Sequence, residues 1–393
     1  MKSLAIYIHY PFCKSKCPYC DFNSHVKDQI DHQRFLTAYL QELDFFFQKC
    51  GIREVTSIFF GGGTPSLMPI TLVEKILEKI QQLWSISPNC EITLETNPTS
   101  FEAAKFKDLR HAGINRISVG IQALNDADLK FLGRQHSAKE AIDVIATTQK
   151  IFDNFSFDLI YARPQQKLSD WQKELQQAIS FGSKHLSLYQ LTIEKGTKFF
   201  SQYNKKEFSL PNEELAAALY ESTYEITKEH GLELYEISNY AKTNYQSQHN
   251  LAYWLGHDYI GIGAGAHSRV YFKDSKKRQA IMMIHEPTSW LSKVEQTGCG
   301  IQQQEEILPA ILLEELIMMG LRLRNGISDA TFLPHFNKKI SEIFDFKKLQ
   351  ELEQLSLISL QDNKIAILED KFLLTNSIIE KISHFTQIKL FDN

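Results

Sequence analysis

Cys13, Cys17 and Cys20 fall within eight residues, while the other cysteines, Cys50, Cys90 and Cys299, are scattered along the chain. The spacing C-x3-C-x2-C lets one short loop wrap three thiolates around a single metal centre, and thiolates are the usual protein ligands of an iron–sulfur cluster. Three ligands on a [4Fe–4S] cluster leave one iron open to a small molecule. A zinc site is the alternative. It calls for a fourth donor, and His25 is the candidate nearby. A second group is the run Gly61-Gly62-Gly63-Thr64-Pro65-Ser66, where missing side chains let the backbone approach a ligand and expose amide donors.

These groups need a scaffold, and the chain supplies a repeating one. Short β-branched or aromatic runs at Leu4–His9, Val55–Phe60, Glu91–Glu95, Arg116–Gly120, Phe155–Tyr161, His185–Leu191 and Leu232–Ile237 alternate with apolar-periodic segments long enough for helices. The helical segments are Phe35–Phe47, Leu72–Leu83, Phe101–His111, Ala138–Ile151, Trp171–Phe181 and Leu215–Glu229. Repeated βα units predict an α/β fold with a parallel sheet, a whole or partial (β/α)6 TIM-like barrel. In such folds functional groups gather at the carboxyl ends of the strands, so the cysteine loop and the glycine run are expected just after strands one and two.

The pattern changes after residue 240. A Tyr-, His- and Gly-rich stretch is followed by the basic run Lys273–Arg278 and by a polar segment from Gln296 to Glu306. This organisation predicts a core at 1–240, a connecting segment at 241–300 with a boundary in the polar run, and a C-terminal domain at 301–393. In the last, helical patterns at Leu308–Leu321, Asp329–Phe336 and Phe346–Leu355 precede two short strands, Leu357–Leu360 and Ile365–Leu368, around a turn at Gln361–Lys364. Three helices and a hairpin read as a small helical, winged-helix-like module. With 43 basic against 47 acidic residues and a net charge of -4, there is no overall positive field to collect nucleic acid. The module is therefore expected to be structural or to bind another protein, and no nucleic-acid partner is expected. A clustered rather than dispersed set of cysteines, without an export signal or a long apolar span, predicts a cytoplasmic protein.

The motifs together resemble those of the radical S-adenosylmethionine (SAM) superfamily, in which the three-cysteine loop follows the first strand and a glycine run ends the second. Tyr7-x-His9-x-Pro11-Phe12-Cys13 and Gly-Gly-Gly-Thr-Pro-Ser are similar to the branch containing oxygen-independent coproporphyrinogen III oxidases and HemW-type heme chaperones, and nearly the whole chain can be laid on it. The resemblance implies that Cys13, Cys17 and Cys20 hold a [4Fe–4S] cluster. It also implies that Tyr7, Gly62, Gly63, Thr64, Glu95, Gln122, Arg134 and Asp158 contact SAM, chemistry that suits carboxylates facing ribose hydroxyls and an arginine facing a carboxylate. One departure is Ala162-Arg163-Pro164, where the family usually has glycine and leucine before the proline.

Two features divide the branch. The oxidases carry another cysteine two residues after the third, where this chain has Phe22, and His249-Asn250-Leu251-Ala252-Tyr253-Trp254 fits the H-N-x-x-Y-W signature of the HemW group. The resemblance thus implies a heme-binding chaperone with exchangeable SAM that delivers heme to acceptor proteins, respiratory ones included, and lacks coproporphyrinogen oxidase activity. An electron donor to the cluster and peripheral membrane contact through the acceptors go with it. Full coproporphyrinogen III dehydrogenase activity is the competing enzyme reading. An RNA-modifying radical SAM enzyme is a third, favoured only by the basic run. Read as residues, the stretch from His249 to His267 offers imidazoles, the faces of Tyr253 and Trp254 and a glycine-rich backbone, a wall suited to a flat apolar macrocycle with an axial ligand. The ordinary alternative is packing at a barrel edge. Cys50, Cys90 and Cys299 are expected to be buried and inert.

Overall fold

A computed structural model describes residues 3–361 and 363–386. Its centre is a parallel sheet laid down in chain order: β1 (Ser3–Tyr10), β2 (Glu54–Gly62), β3 (Ser85–Thr96), β4 (Arg116–Gln122), β5 (Asn154–Tyr161) and β6 (His185–Gln190). Between and after them run α1 (His32–Cys50), α2 (Ile70–Leu83), α3 (Phe106–His111), α4 (Ala138–Ile151), α5 (Leu168–Ser180) and α6 (Glu213–Glu229). Strands buried on both faces read as nearly continuous apolar runs, and β1 buries Leu4, Ile6, Ile8 and Tyr10 completely. Helix α1 shows the matching helical logic. Asp31 caps Arg34 N–H at 3.1 Å, and Phe35, Tyr39, Leu43 and Phe46 form the buried stripe.

Beyond the six units the sheet grows at both edges. The antiparallel strands β7 (Glu233–Glu236) and β8 (Asn239–Ala241) extend it past β6. On the other side β9 (Tyr259–Ile262) pairs parallel to β1, placing Gly261 opposite Tyr7, and antiparallel β10 (His267–Tyr271), β11 (Arg278–Met283) and β12 (Ile301–Glu306) follow. The resulting twelve strands form an open sheet whose ends, β12 and β7, do not pair, so the fold is α/β with a partial rather than a closed barrel.

Two polar runs find their places here. The polar run Gln296–Glu306 is not a linker between domains, because Ile301–Glu306 is the outermost strand of the sheet. After Ile301 every residue of this edge strand is exposed, so both of its faces carry glutamine and glutamate and the segment reads as a loop. The basic run Lys273–Arg278 is largely the turn between β10 and β11, and Arg278 is buried, donating to the carbonyls of Gly256 and His257 at 2.9 Å each.

The helix α7 (Gln248–Trp254) enters β9, and α8 (Pro287–Thr297) packs on α1. The C-terminal part begins with α9 (Pro309–Gly320) and continues through α10 (Asp329–Phe336) and α11 (Phe346–Gln354). The expected hairpin is present as β14 (Ile358–Gln361) and β15 (Lys364–Ile367), joined by β13 (Ile327–Ser328) into a three-stranded sheet. Of its turn, Asp362 lies outside the described residues, as do 387–393 at the end of the expected C-terminal domain. Among the described residues no helix is long and apolar enough to cross a membrane.

Candidate functional site

The cysteine loop leaves β1 and is tied directly to the end of β2. Gly63 N–H donates to Tyr10 O at 2.7 Å and Thr64 N–H to Phe12 O at 2.9 Å. A β-carbon on Gly63 would stand 2.6 Å from Phe12 O, and one on Gly62, whose φ is +110°, would stand 2.6 Å from the His9 ring. The glycines therefore let two chain segments approach closely, and the amide donors expected to be exposed in this run are engaged, Gly62 N–H with Glu95 Oε2 at 3.3 Å.

Each sulfur has a polar neighbour. Thr64 Oγ1–H donates to Cys13 Sγ and an Arg134 Nη1–H to Cys17 Sγ, both at 3.3 Å, while Ser24 Oγ lies 3.9 Å from Cys20 Sγ. Such donors stabilise metal-bound thiolates. Burial pushes the free thiols of Cys13 and Cys20 up, so loading this loop with metal releases protons. Among the described residues no three His, Cys, Asp or Glu side chains converge on one ion position, and the His25 of the zinc reading has its Nε2 3.0 Å from Asn23 Oδ1. A [4Fe–4S] cluster needs only three thiolates, whereas a structural zinc calls for a fourth donor, so three cysteines lining one cavity suit the cluster.

One cavity gathers the three cysteines with Gly62, Gly63, Thr64, Glu95, Gln122, Arg134 and Asp158. These come from β2, β3, β4, β5 and the loop after β4, which the sheet register aligns: Glu95 stands opposite Ser118, and Asp158 opposite Ser187. Gln122 ends β4 beyond a register shift with a φ of 74°, a left-handed backbone that costs a non-glycine residue about 1–2 kcal/mol. Arg134 does more than face a ligand. Its Nη2 donates to Asn97 Oδ1 (2.6 Å) and Gly120 O (2.8 Å), its Nη1 reaches Cys17, and its buried Nε has no partner. That orphaned donor suits one oxygen of an anionic ligand group. Asn97, which the sequence reading missed, also donates to Thr64 Oγ1 at 3.2 Å. Its position one residue past β3 is the signal that could have found it.

Burial raises Glu95 to about 8, with the Asp158 charge adding to it, and raises Asp158 to about 6, where a Ser187 hydrogen bond opposes the shift. A cationic ligand such as SAM favours the ionised carboxylates, so its binding strengthens with pH. From pH 6 to 8 the affinity of the cluster-loaded protein for SAM, measured by calorimetry, is expected to rise about tenfold and then level, and Glu95→Gln to flatten the profile. In the ligand-free protein the sign is opposite. A carboxyl whose folded pKa lies above its unfolded value contributes stability present below about 4.5 and lost as pH rises through about 8.

A second cavity of about 660 Å³ adjoins the first and shares Phe22, Gly62 and Glu95 with it. Tyr253, Trp254 and His267 line it, and so does Tyr7, which the structure places here rather than around the first cavity. Tyr7 OH lies 3.0 Å from His9 Nδ1, and His9 Nε2 lies 2.9 Å from Asn23 O. A carbonyl only accepts, so Nε2 carries the hydrogen and Nδ1 accepts from the tyrosine. Burial lowers His9 to about 4 and keeps it neutral.

His249 sits behind this wall. Its Nδ1 is 2.9 Å from Ser57 Oγ and its Nε2 3.1 Å from Tyr253 OH, and burial lowers it to about 3. Both ring nitrogens are thus engaged, and ligation of an iron by His249 requires release of one of these bonds. Three imidazoles line the cavity wall: His9, whose two ring nitrogens are already engaged, and His267 and His285, with ring centroids 6.3 Å apart. Cys50, Cys90 and Cys299 are buried, and burial raises Cys50 and Cys90 to about 12. The departure at Ala162-Arg163 is accommodated locally. Ala162 keeps a left-handed φ of 58°, a backbone suited to glycine. The buried Arg163 pairs with Glu174 and, at 3.1 Å, with Asp128.

Comparison with known proteins agrees with this geometry. Residues 7–178 match the radical SAM superfamily, and residues 309–367 match the HemN C-terminal domain. The chain is 34% identical to the "Radical S-adenosyl methionine domain-containing protein 1, mitochondrial" of Danio rerio, across 96% of this chain and 86% of that protein. It is 41% identical to the heme chaperone HemW of Escherichia coli (strain K12), across 70% of this chain and 72% of that one. The solved structure of coproporphyrinogen III oxidase (HemN) from Escherichia coli, a radical SAM enzyme, superposes with a TM-score of 0.79 at 19% identity, covering 97% of this chain and 90% of that one. At that identity the likeness shows the fold alone. With the cysteine loop, the glycine strand end and the HemN-type C-terminal part all in place, the chain belongs to the radical SAM superfamily, in the group that includes the HemW heme chaperones.

Proposed function

We propose that this protein is a heme chaperone that holds heme in the second cavity beside a [4Fe–4S] cluster with exchangeable SAM, passes the heme to acceptor proteins and lacks coproporphyrinogen oxidase activity. The observation that carries the reading is the adjacency of the two cavities, one with a cluster-type donor set and one with aromatic walls and a volume of about 660 Å³, within the range of cofactor sites. The similarity to proteins named heme chaperone HemW supports it. Bound in the first cavity, the cluster would supply an electron and an iron open to SAM. The chain's own groups have distinct tasks there. Cys13, Cys17 and Cys20 hold the irons, Thr64 and Arg134 stabilise sulfur charge, and Gly62 and Gly63 let SAM's amino acid end reach the backbone. Glu95 and Asp158 answer its positive charge, Arg134 Nε its carboxylate, and Gln122 the rim of the cavity.

In the second cavity Tyr7, Tyr253 and Trp254 provide apolar faces, His267 and His285 offer imidazoles to iron, and His249 supports Tyr253 from behind. A reducing compartment such as the cytoplasm suits the exposed part of the thiolate loop. An electron donor to the cluster and heme acceptors, respiratory ones among them, complete the proposed cycle, with any membrane contact made through the acceptors. The three parts proposed for the chain are the core at 1–240, the segment 241–300 that carries the H-N-x-x-Y-W motif, and the C-terminal domain, which we set after the edge strand.

The test is anaerobic reconstitution followed by heme titration and assay with coproporphyrinogen III. The expected result is one heme per chain, seen as a Soret band, weakened about tenfold by Trp254→Ala, with no protoporphyrinogen formed. Catalytic formation of protoporphyrinogen would overturn the reading in favour of the dehydrogenase.

A further inference from the structure

Phe22 stands where the oxidases of this branch carry a fourth cysteine, and its side chain is 60% exposed. It lines both cavities, with Gly62 and Glu95, and so sits at their junction. The backbone around it is held from several sides. Phe22 O accepts from Lys16 Nζ at 3.3 Å. Asn23 O accepts from His9 Nε2 at 2.9 Å, and Asn23 Nδ2 donates to Ala264 O and His285 O, both at 2.9 Å. The loop it grips closes tightly over it, since a β-carbon on Gly265 would stand 2.2 Å from Asn23 Nδ2. Asn23 thus clamps the end of the cysteine loop to the wall that carries His267 and His285.

A fixed backbone that presents an exposed aromatic ring at a cavity junction is a preorganised stacking surface, because little freedom remains to be lost when a flat ligand covers it. A cysteine there would offer no π face and would leave the junction wider. We propose that Phe22 is the stacking platform for a planar aromatic macrocycle in the second cavity and the partition that separates this ligand from the cluster cavity. The inference rests on the heme-binding reading above and extends it to a specificity-determining residue. Asn23 is the positioning residue that sets the height of the platform.

The test uses the full-length, cluster-loaded protein with heme and, as a second probe, iron-free protoporphyrin IX. Phe22→Ala is expected to weaken both by about tenfold, Phe22→Trp to restore wild-type affinity, and iron content and SAM affinity to change less than about threefold in either. The metal-free macrocycle separates stacking from iron ligation, and it should lose as much affinity as heme does. Wild-type affinity in Phe22→Ala overturns the proposal, as does joint loss of iron, SAM and heme, which would make Phe22 part of the cysteine loop's framework. Absence of heme uptake by the wild type overturns the chaperone reading as well, so the two failures are distinguishable.

Discussion

Cys17→Ala is expected to leave a folded protein that cannot keep its cluster. After anaerobic reconstitution its iron and sulfide content should fall to a small fraction of wild type, the iron–sulfur absorption and the EPR signal of the reduced protein should vanish, and SAM affinity should drop at least about tenfold. The physical reason is that a cluster held by three protein ligands has none to spare, and SAM then loses the iron it would bind. The fold should survive because Cys17 lies on a half-buried loop and its side chain contacts Arg134, which keeps Asn97 and Gly120 as partners. The check is the iron content together with circular dichroism. Wild-type iron in Cys17→Ala would remove the assignment of the cysteine loop.

Glu42→Ala is expected to be the most damaging substitution for stability. This carboxylate lies on α1 with no exposure, far in sequence from everything it holds. It accepts from Gly263 N–H and Gly300 N–H at 2.8 Å each and from Trp290 Nε1–H at 2.9 Å. The bonds fasten the turn after β9 and the connection from α8 to β12 onto the first helix. Removing the acceptor leaves three buried donors without partners, and at about 1–3 kcal/mol for each the loss should reach about 3–5 kcal/mol. Urea unfolding of the metal-free protein checks it, and a loss below about 1 kcal/mol would contradict the argument. Burial raises Glu42 to about 7, so its contribution is present below about 4.5 and declines as pH rises through about 7. Glu42→Gln, which keeps an acceptor oxygen without the charge, should be milder at high pH.

Much of this was legible in the residues. Ala138–Ile151 is a helix with the bounds its periodicity suggested, and its Ser137 and Glu140 form a capping box that local sequence alone can specify. The cysteine loop and the glycine run follow their strands because βα connections are local. The opposite held at the sheet edges. Ile301–Glu306 reads as a loop because its residues after Ile301 are exposed polar ones, paired through the backbone to β11, and inside the sheet Gln122 gives no hint of its left-handed backbone. Glu42, Asn23 and Asn97 were missed for a shared reason. Each is an ordinary polar residue whose importance comes from partners more than thirty residues away.

The chemistry class is written in the residues: three thiolates at a spacing that suits a cluster, a glycine strand end, an order of strands and helices, and a phenylalanine in place of a fourth cysteine. These are properties of short segments, and short segments are shaped by local sterics and periodicity. It takes the packed chain to bring two cavities together at Phe22, to turn Tyr7 toward the second, to engage both nitrogens of His249 and to let Arg134 bridge Cys17 to Asn97. Those outcomes depend on which distant groups the sheet register brings within hydrogen-bond range. A buried polar group must find a partner wherever the fold offers one.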